Sequence, residues 1–146
     1  MQQSVQMLTL GVRDLDASRR FYKDGLGWQP LLEMDSVLFF QVGPALVLSL
    51  FGADELATDA HVPDASAAAT ANPGRITLGH NMATDAEVDQ EIARAQAAGA
   101  TVLKPGQRAF WGGYHGFFAD PDGFVWEIAH NPGLVFHDNG TVTFGN

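Results

Sequence analysis

The chain has no cysteine among its 146 residues, which removes disulfide scaffolding, thiol catalysis and thiolate metal binding. Basic residues are scarce: 8 Lys and Arg stand against 17 Asp and Glu, a formal net charge of −9. A field of that sign repels phosphate backbones and anionic membrane surfaces, so neither nucleic acid nor a membrane is an expected partner. No apolar run approaches the ~20 residues of a membrane span, and no basic stretch with an apolar sequel marks a signal peptide. The expected location is cytoplasmic. What is present is a 46% hydrophobic composition, enough for one globular domain or for two small modules sharing a core.

Gly116 to His130 is the most informative stretch. Asp120-Pro121-Asp122-Gly123 spells a tight turn: an aspartate to bond the following backbone, a proline to preset φ, a glycine for φ > 0. Aromatic and β-branched residues on both sides predict a β-hairpin. In its second strand Phe124, Trp126 and Ile128 share one face, and Val125, Glu127 and Ala129 the other. Glu127 is thus a carboxylate in the middle of an apolar strand. Desolvating it without a partner costs several kcal/mol, on the order known for unpaired buried charge, so a metal, an arginine, a ligand or solvent is expected to face it.

From the start, Val5 to Val12 reads as a strand with Met7, Thr9 and Gly11 on one face and Leu8, Leu10 and Val12 on the other. A helix follows, capped by Asp14 or Asp16, burying Leu15, Phe21 and Tyr22, and stopping at Gly25 and Gly27. Trp28 to Leu32, Val37 to Val42 and Ala45 to Phe51 read as strands, the last two joined at Gly43-Pro44. Residues 53–73 dissolve into Ala, Asp, Ser, Thr and Pro without periodicity, as a linker or mobile loop does. The pattern then restarts. Arg75-Ile76-Thr77-Leu78-Gly79 echoes Met7-Leu8-Thr9-Leu10-Gly11, and Thr84 with Glu87 forms a capping-box pair. Val88, Ile92 and Ala95 stripe a helix ending at Gly99, Thr101 to Leu103 is a short strand, and the hairpin follows. Phe39-Phe40 matches Phe117-Phe118 and Leu48 matches Glu127, so a β-α-β-β-β unit is duplicated. The expected limits are 1–52 and 74–131 for the two modules, with 132–146 as a C-terminal arm carrying a turn at Asp138-Asn139-Gly140-Thr141.

The duplication, the segment Val12-Arg13-Asp14-Leu15-Asp16 to Gly25-Leu26-Gly27-Trp28, and the run Phe118-Ala119-Asp120-Pro121-Asp122-Gly123 to Trp126-Glu127 resemble the vicinal oxygen chelate superfamily. That group includes glyoxalases, bleomycin resistance proteins and extradiol dioxygenases. The resemblance spans about residues 4 to 132. It implies an α+β fold in which two βαβββ modules curl their sheets around a cleft with helices outside, and it makes a homodimer plausible. It also implies a divalent metal held by His, Glu or Gln from the first and last strands of each module, at Met7, Leu48, Arg75 and Glu127 here. Only Glu127 among these has a suitable donor. Thioether, alkyl and guanidinium groups do not replace imidazole or carboxylate, so no cofactor is expected and an Arg75–Glu127 ion pair is.

His115 lies in the Gly-rich segment that leads to the hairpin. There its imidazole, with Trp111 and Tyr114, can contact a ligand or move a proton. His80 has the parity of Ile76 and Leu78 and reads as a core or helix-facing side chain. His61 and His137 are expected in solvent, and His130 is read as an anchor for the Asn131-Pro132-Gly133 turn. Trp28, Phe39 and Phe110 either line a cleft or fill the core. The expected function is metal-independent binding of a cationic or planar small organic molecule, with Met7, Leu48, Arg75, Trp111 and Tyr114 as contacts and Glu127 and His115 as candidate catalytic groups. The alternative is a glyoxalase-like lyase, isomerase or dioxygenase with a non-standard metal site or Arg/Glu chemistry.

Overall fold

The computed structural model describes residues 5–61 and 76–144. The chain falls into two compact units, Met1–Ala71 and Asn72–Asn146. No helix among the described residues is long and apolar enough to cross a membrane.

The first unit opens with β1 (Met7–Val12) and helix α1 (Leu15–Arg19), which continues as wider turns over Arg20–Gly25. Of the two candidate caps the structure uses Asp14, whose Oδ1 accepts from the backbone N–H groups of Asp16 at 2.9 Å and Ala17 at 3.0 Å. That satisfies two donors which the helix start leaves without intrahelical partners. In the widened segment Leu26 N–H donates to the Phe21 carbonyl, five residues back, at 2.8 Å. Phe21 and Tyr22, adjacent in sequence, are both fully buried. Tyr22 meets the rings of Trp28 at 5.3 Å and Phe40 at 6.0 Å, so the half-buried Trp28 packs against the core of this unit. Of the expected Trp28–Leu32 strand only the end joins the sheet: Leu31 N–H donates to the Phe39 carbonyl at 2.7 Å and β2 (Leu32–Glu33) pairs with the next strand. With β3 (Val37–Gly43) and β4 (Leu46–Gly52) it completes a sheet of order β1-β4-β3-β2, β1 parallel to β4 and the rest antiparallel. Part of the stretch expected to lack structure is helical: α2 (Ala53–Asp59) has good helix formers in Ala53, Leu56 and Ala57, and Asp54 and Glu55 in its first turn complement the dipole. The expected linker beyond it, residues 62–73, lies outside the described residues, and so does Arg75.

The second unit repeats the plan with β5 (Thr77–Asn81), helix α3 (Asp85–Ala97), β6 (Thr101–Arg108), β7 (Tyr114–Ala119) and β8 (Val125–His130), in sheet order β5-β8-β7-β6. The capping box forms in full: Thr84 Oγ1 accepts from Glu87 N–H, and the Glu87 carboxylate accepts from Thr84 N–H. Val88, Ile92 and Ala95 are buried, as the helical spacing predicts. Strand β6 is longer than the expected Thr101–Leu103 because it bulges twice, between Val102 and Lys104 and between Lys104 and Gln107. At a sheet edge a bulge accommodates Pro105, which has no N–H to donate. The Asp120–Gly123 turn forms as read: Asp120 Oδ1 accepts from Asp122 and Phe124 N–H, and Gly123 takes φ 90°. The C-terminal segment makes a hairpin of β9 (Leu134–Phe136) and β10 (Val142–Phe144).

Strand pairing corrects the alignment of the two copies. Phe40 pairs with Leu48, and Phe118 pairs with Trp126. Leu48 therefore matches Trp126, and the position equivalent to Glu127 is Ser49. Leu48 is 2% exposed and shares its face with Phe40, which lies under the helix. It belongs to the core of its unit and not to the face that would match Glu127. Met7 is exposed, on the same strand face as Thr9.

Candidate functional site

In the second sheet one face is covered by α3 and the other carries Lys104, His115 and Glu127. Phe118, Trp126 and Ile128 are buried on the α3 side, where Gly116 is also required: a Cβ there would lie 2.7 Å from the Lys104 carbonyl oxygen. Alternation then puts His115, Phe117, Glu127 and Ala129 on the opposite face.

On that face three groups are linked. His115 Nδ1 lies 2.6 Å from Glu127 Oε1, and His115 Nε2 lies 2.8 Å from Lys104 Nζ. Lys104 reaches this place because its bulged strand pairs it with Phe117, whose ring centroid is 5.5 Å from the ammonium. The imidazole is buried at 8% exposure and meets Trp111 edge-on at 5.4 Å and Phe117 at 5.1 Å. Trp111 is placed by its glycines. Gly112 turns at φ 93°, with its N–H on the Ala109 carbonyl, and the indole folds back over Gly113, where a side chain would collide with it. The partner of Glu127 is thus His115, a contact that local parity alone did not reveal.

Glu127, one third exposed, opens into a pocket of ≈ 320 Å³. Its wall is Gly79, His80 and Asn81 from β5 with Ala129 from β8, completed by Trp111, Asn131 and Leu134. Gly79 sits directly across from Glu127, and a Cβ built on it would meet nothing within 4 Å. The missing side chain leaves room beside the carboxylate.

The other expected site residues divide. Trp111 joins Glu127 and His115. Tyr114 does not, because it precedes His115 in β7 and therefore projects to the opposite face. There its hydroxyl donates to Asp89 on α3 at 3.0 Å, and the Arg108 guanidinium lies over its ring. The bond to Asp89 holds the Tyr114 hydroxyl above its usual pKa, with desolvation adding to the effect. Met7 and Leu48 belong to the first unit. Phe110 is wholly exposed. His80, expected in the core, is exposed on the edge strand β5, while α3 packs across β6, β7 and β8. His61 and His137 are exposed as expected. His130 bonds Asp85 at 2.7 Å and ties β8 to the start of α3. The Asn131 turn is held instead by its own Oδ1, which accepts from Gly133 N–H.

Lys104, Gly79, Asn81, Asn131 and Leu134 were not singled out from the sequence. A lysine directly before Pro-Gly in an edge strand carries no local signal, and the bulges that aim it are a property of the paired sheet. Among the described residues no group of three or more His, Asp or Glu side chains could hold a metal ion. Nor does the linked trio fit a divalent ion, since an ammonium stands where His115 would offer its lone pair.

No curated protein matches the chain. Among solved structures it is similar to a glyoxalase-related enzyme from Fulvimarina pelagi, with 38% identity, TM-score 0.86, and 99% of each chain covered. It is also similar to a glyoxalase/bleomycin resistance protein/dioxygenase from Nocardioides, with 26% identity, TM-score 0.72, and 92% and 91% covered. A lactoylglutathione lyase from Agrobacterium tumefaciens shares the fold at 24% identity and TM-score 0.63, with 88% of this chain and 94% of that one covered. The family model of the Glyoxalase/Bleomycin resistance protein/Dioxygenase superfamily matches residues 4–128, and with the duplicated βαβββ plan already described, the chain belongs to that superfamily.

Proposed function

We propose that the protein binds a small organic molecule in the pocket beside Glu127 and that it does so without a divalent metal. The observation that carries this reading is a part-exposed carboxylate, braced by His115, facing a pocket of ≈ 320 Å³ with an indole in its wall. That volume is at the small end of ligand sites, and a few polar groups among apolar ones is their usual composition. Trp111 offers a flat apolar and π surface, and Glu127 accepts hydrogen bonds, which together favour a planar or cationic ligand carrying a donor.

A second reading rests on the 2.6 Å bond between His115 and Glu127. A carboxylate held this way is arranged as a general base toward a proton on a bound molecule, the step that lyases and isomerases share. The similarity to a glyoxalase-related enzyme supports it.

Both readings are tested by screening planar and cationic small molecules for thermal stabilisation, with and without EDTA, and then following each hit for turnover. Binding should survive EDTA and fall at least about tenfold, some 1.4 kcal/mol, in Glu127→Gln and in Trp111→Ala. A ligand whose binding disappears with EDTA and returns with a stoichiometric divalent ion would overturn the metal-free reading. Turnover abolished by Glu127→Gln with binding retained would favour the catalytic one.

A further inference from the structure

His115 stands between two groups that constrain its protons in opposite ways. An ammonium has three donors and no acceptor, so Lys104 Nζ at 2.8 Å requires a lone pair on Nε2. A neutral imidazole with a bare Nε2 carries its single proton on Nδ1, where Glu127 Oε1 accepts it at 2.6 Å. The doubly protonated ring would instead place an N–H against the ammonium, donor to donor and cation to cation, in a position that is 8% exposed. The charged groups that face the ring are Glu127 from β8 and Lys104 from β6; its other neighbours are the rings of Trp111 and Phe117.

We propose that Lys104 is a positioning residue which keeps His115 in the neutral Nδ1–H tautomer and thereby presents Glu127 to the pocket as an anionic acceptor. Through its link to the ligand this deepens the function proposed above and rests on it. The pocket then selects molecules that donate: an ammonium, an amidine, a hydroxyl or an acidic C–H, in preference to carboxylates and phosphates.

The test is 15N NMR of histidine-labelled protein at neutral pH without ligand, with His115 assigned by the resonances lost in His115→Gln. The expected wild-type signature is a pyrrole-like Nδ1 with a pyridine-like Nε2. Lys104→Met, which keeps the apolar stem, removes the donor that requires a bare Nε2 and should move the Nε2 resonance upfield as a proton gains access to that nitrogen, and Lys104→Arg should restore the wild-type pattern. A protonated Nε2 in the wild type overturns the proposal by itself, whatever the variants do. So does a Lys104→Met spectrum identical to wild type, or a failure of Lys104→Arg to restore it. Because no ligand is used, failure here leaves the binding screen standing, and failure of the screen leaves the tautomer result standing.

Discussion

The two sheets have the same strand order and the same pairing, and they differ on one face. On the helix side the copies stay apolar: Phe40 matches Phe118, Leu48 matches Trp126, and Leu50 matches Ile128, all buried. On the other face the register sets Ser49 against Glu127, Val37 against His115 and Leu32 against Lys104. The three linked ionisable groups of the second unit are thus a serine and two aliphatic residues in the first. A duplicated frame tolerates this because the helix-facing rows specify the fold of each copy, and alternation leaves the opposite rows independent of them.

The largest expected effect tests what the copies share. Phe40→Ala and Phe118→Ala should each lower stability by about 3–5 kcal/mol in denaturant unfolding, since each empties a fully packed helix-side position. A small loss for one alone would break the equivalence. The next tests what they do not share. His115→Val strips Glu127 and Lys104 of their common partner and should cost about 1–3 kcal/mol. Converting all three positions to the residues of the first copy, with Lys104→Leu, His115→Val and Glu127→Ser, should cost less than His115→Val alone, because no charge is then left unpaired. If the triple variant is the less stable one, the trio supports the fold as well as the pocket.

The smallest effect is the ionic group of the first copy. Glu33 accepts from Lys23 at 2.6 Å and Arg19 at 2.7 Å, and these bonds, Lys23 foremost, hold its carboxyl below the usual carboxylate range. A lowered folded pKa contributes stability above the unfolded value and loses it as pH falls through the folded one. Glu33→Gln should therefore lower the thermal midpoint slightly at neutral pH, and the deficit should shrink as pH falls below the unfolded carboxylate value of about 4.3 and vanish once pH has passed below the lowered folded one.

Much of the frame was legible because its signals are local. The Asp120–Gly123 turn, the Thr84–Glu87 box and the stripe on α3 each need only neighbouring residues, and each formed. The duplication was legible too, through repeated short strings. Glu127 stood out as a charge in an apolar strand, and His115 and Trp111 as ring-bearing neighbours of glycine. What could not be read depended on pairing. A one-residue slip placed Leu48 opposite its true face, and adjacency made Tyr114 look like a companion of His115 when the pleat separates them. Lys104 entered the site through two bulges that no single strand encodes. The Arg75–Glu127 pair lies outside the described residues on its arginine side, while the carboxylate has a histidine at 2.6 Å.

Gly79 offers a steric ruler. Opposite Glu127 it leaves open space, and no positive φ reserves the position for glycine. Alanine, valine and leucine introduced there in turn would fill the cavity by graded steps while leaving Glu127, His115 and Lys104 in place. The size at which a given compound ceases to fit would measure how closely it approaches the carboxylate, and the same series would sort a mixture of candidate compounds by bulk.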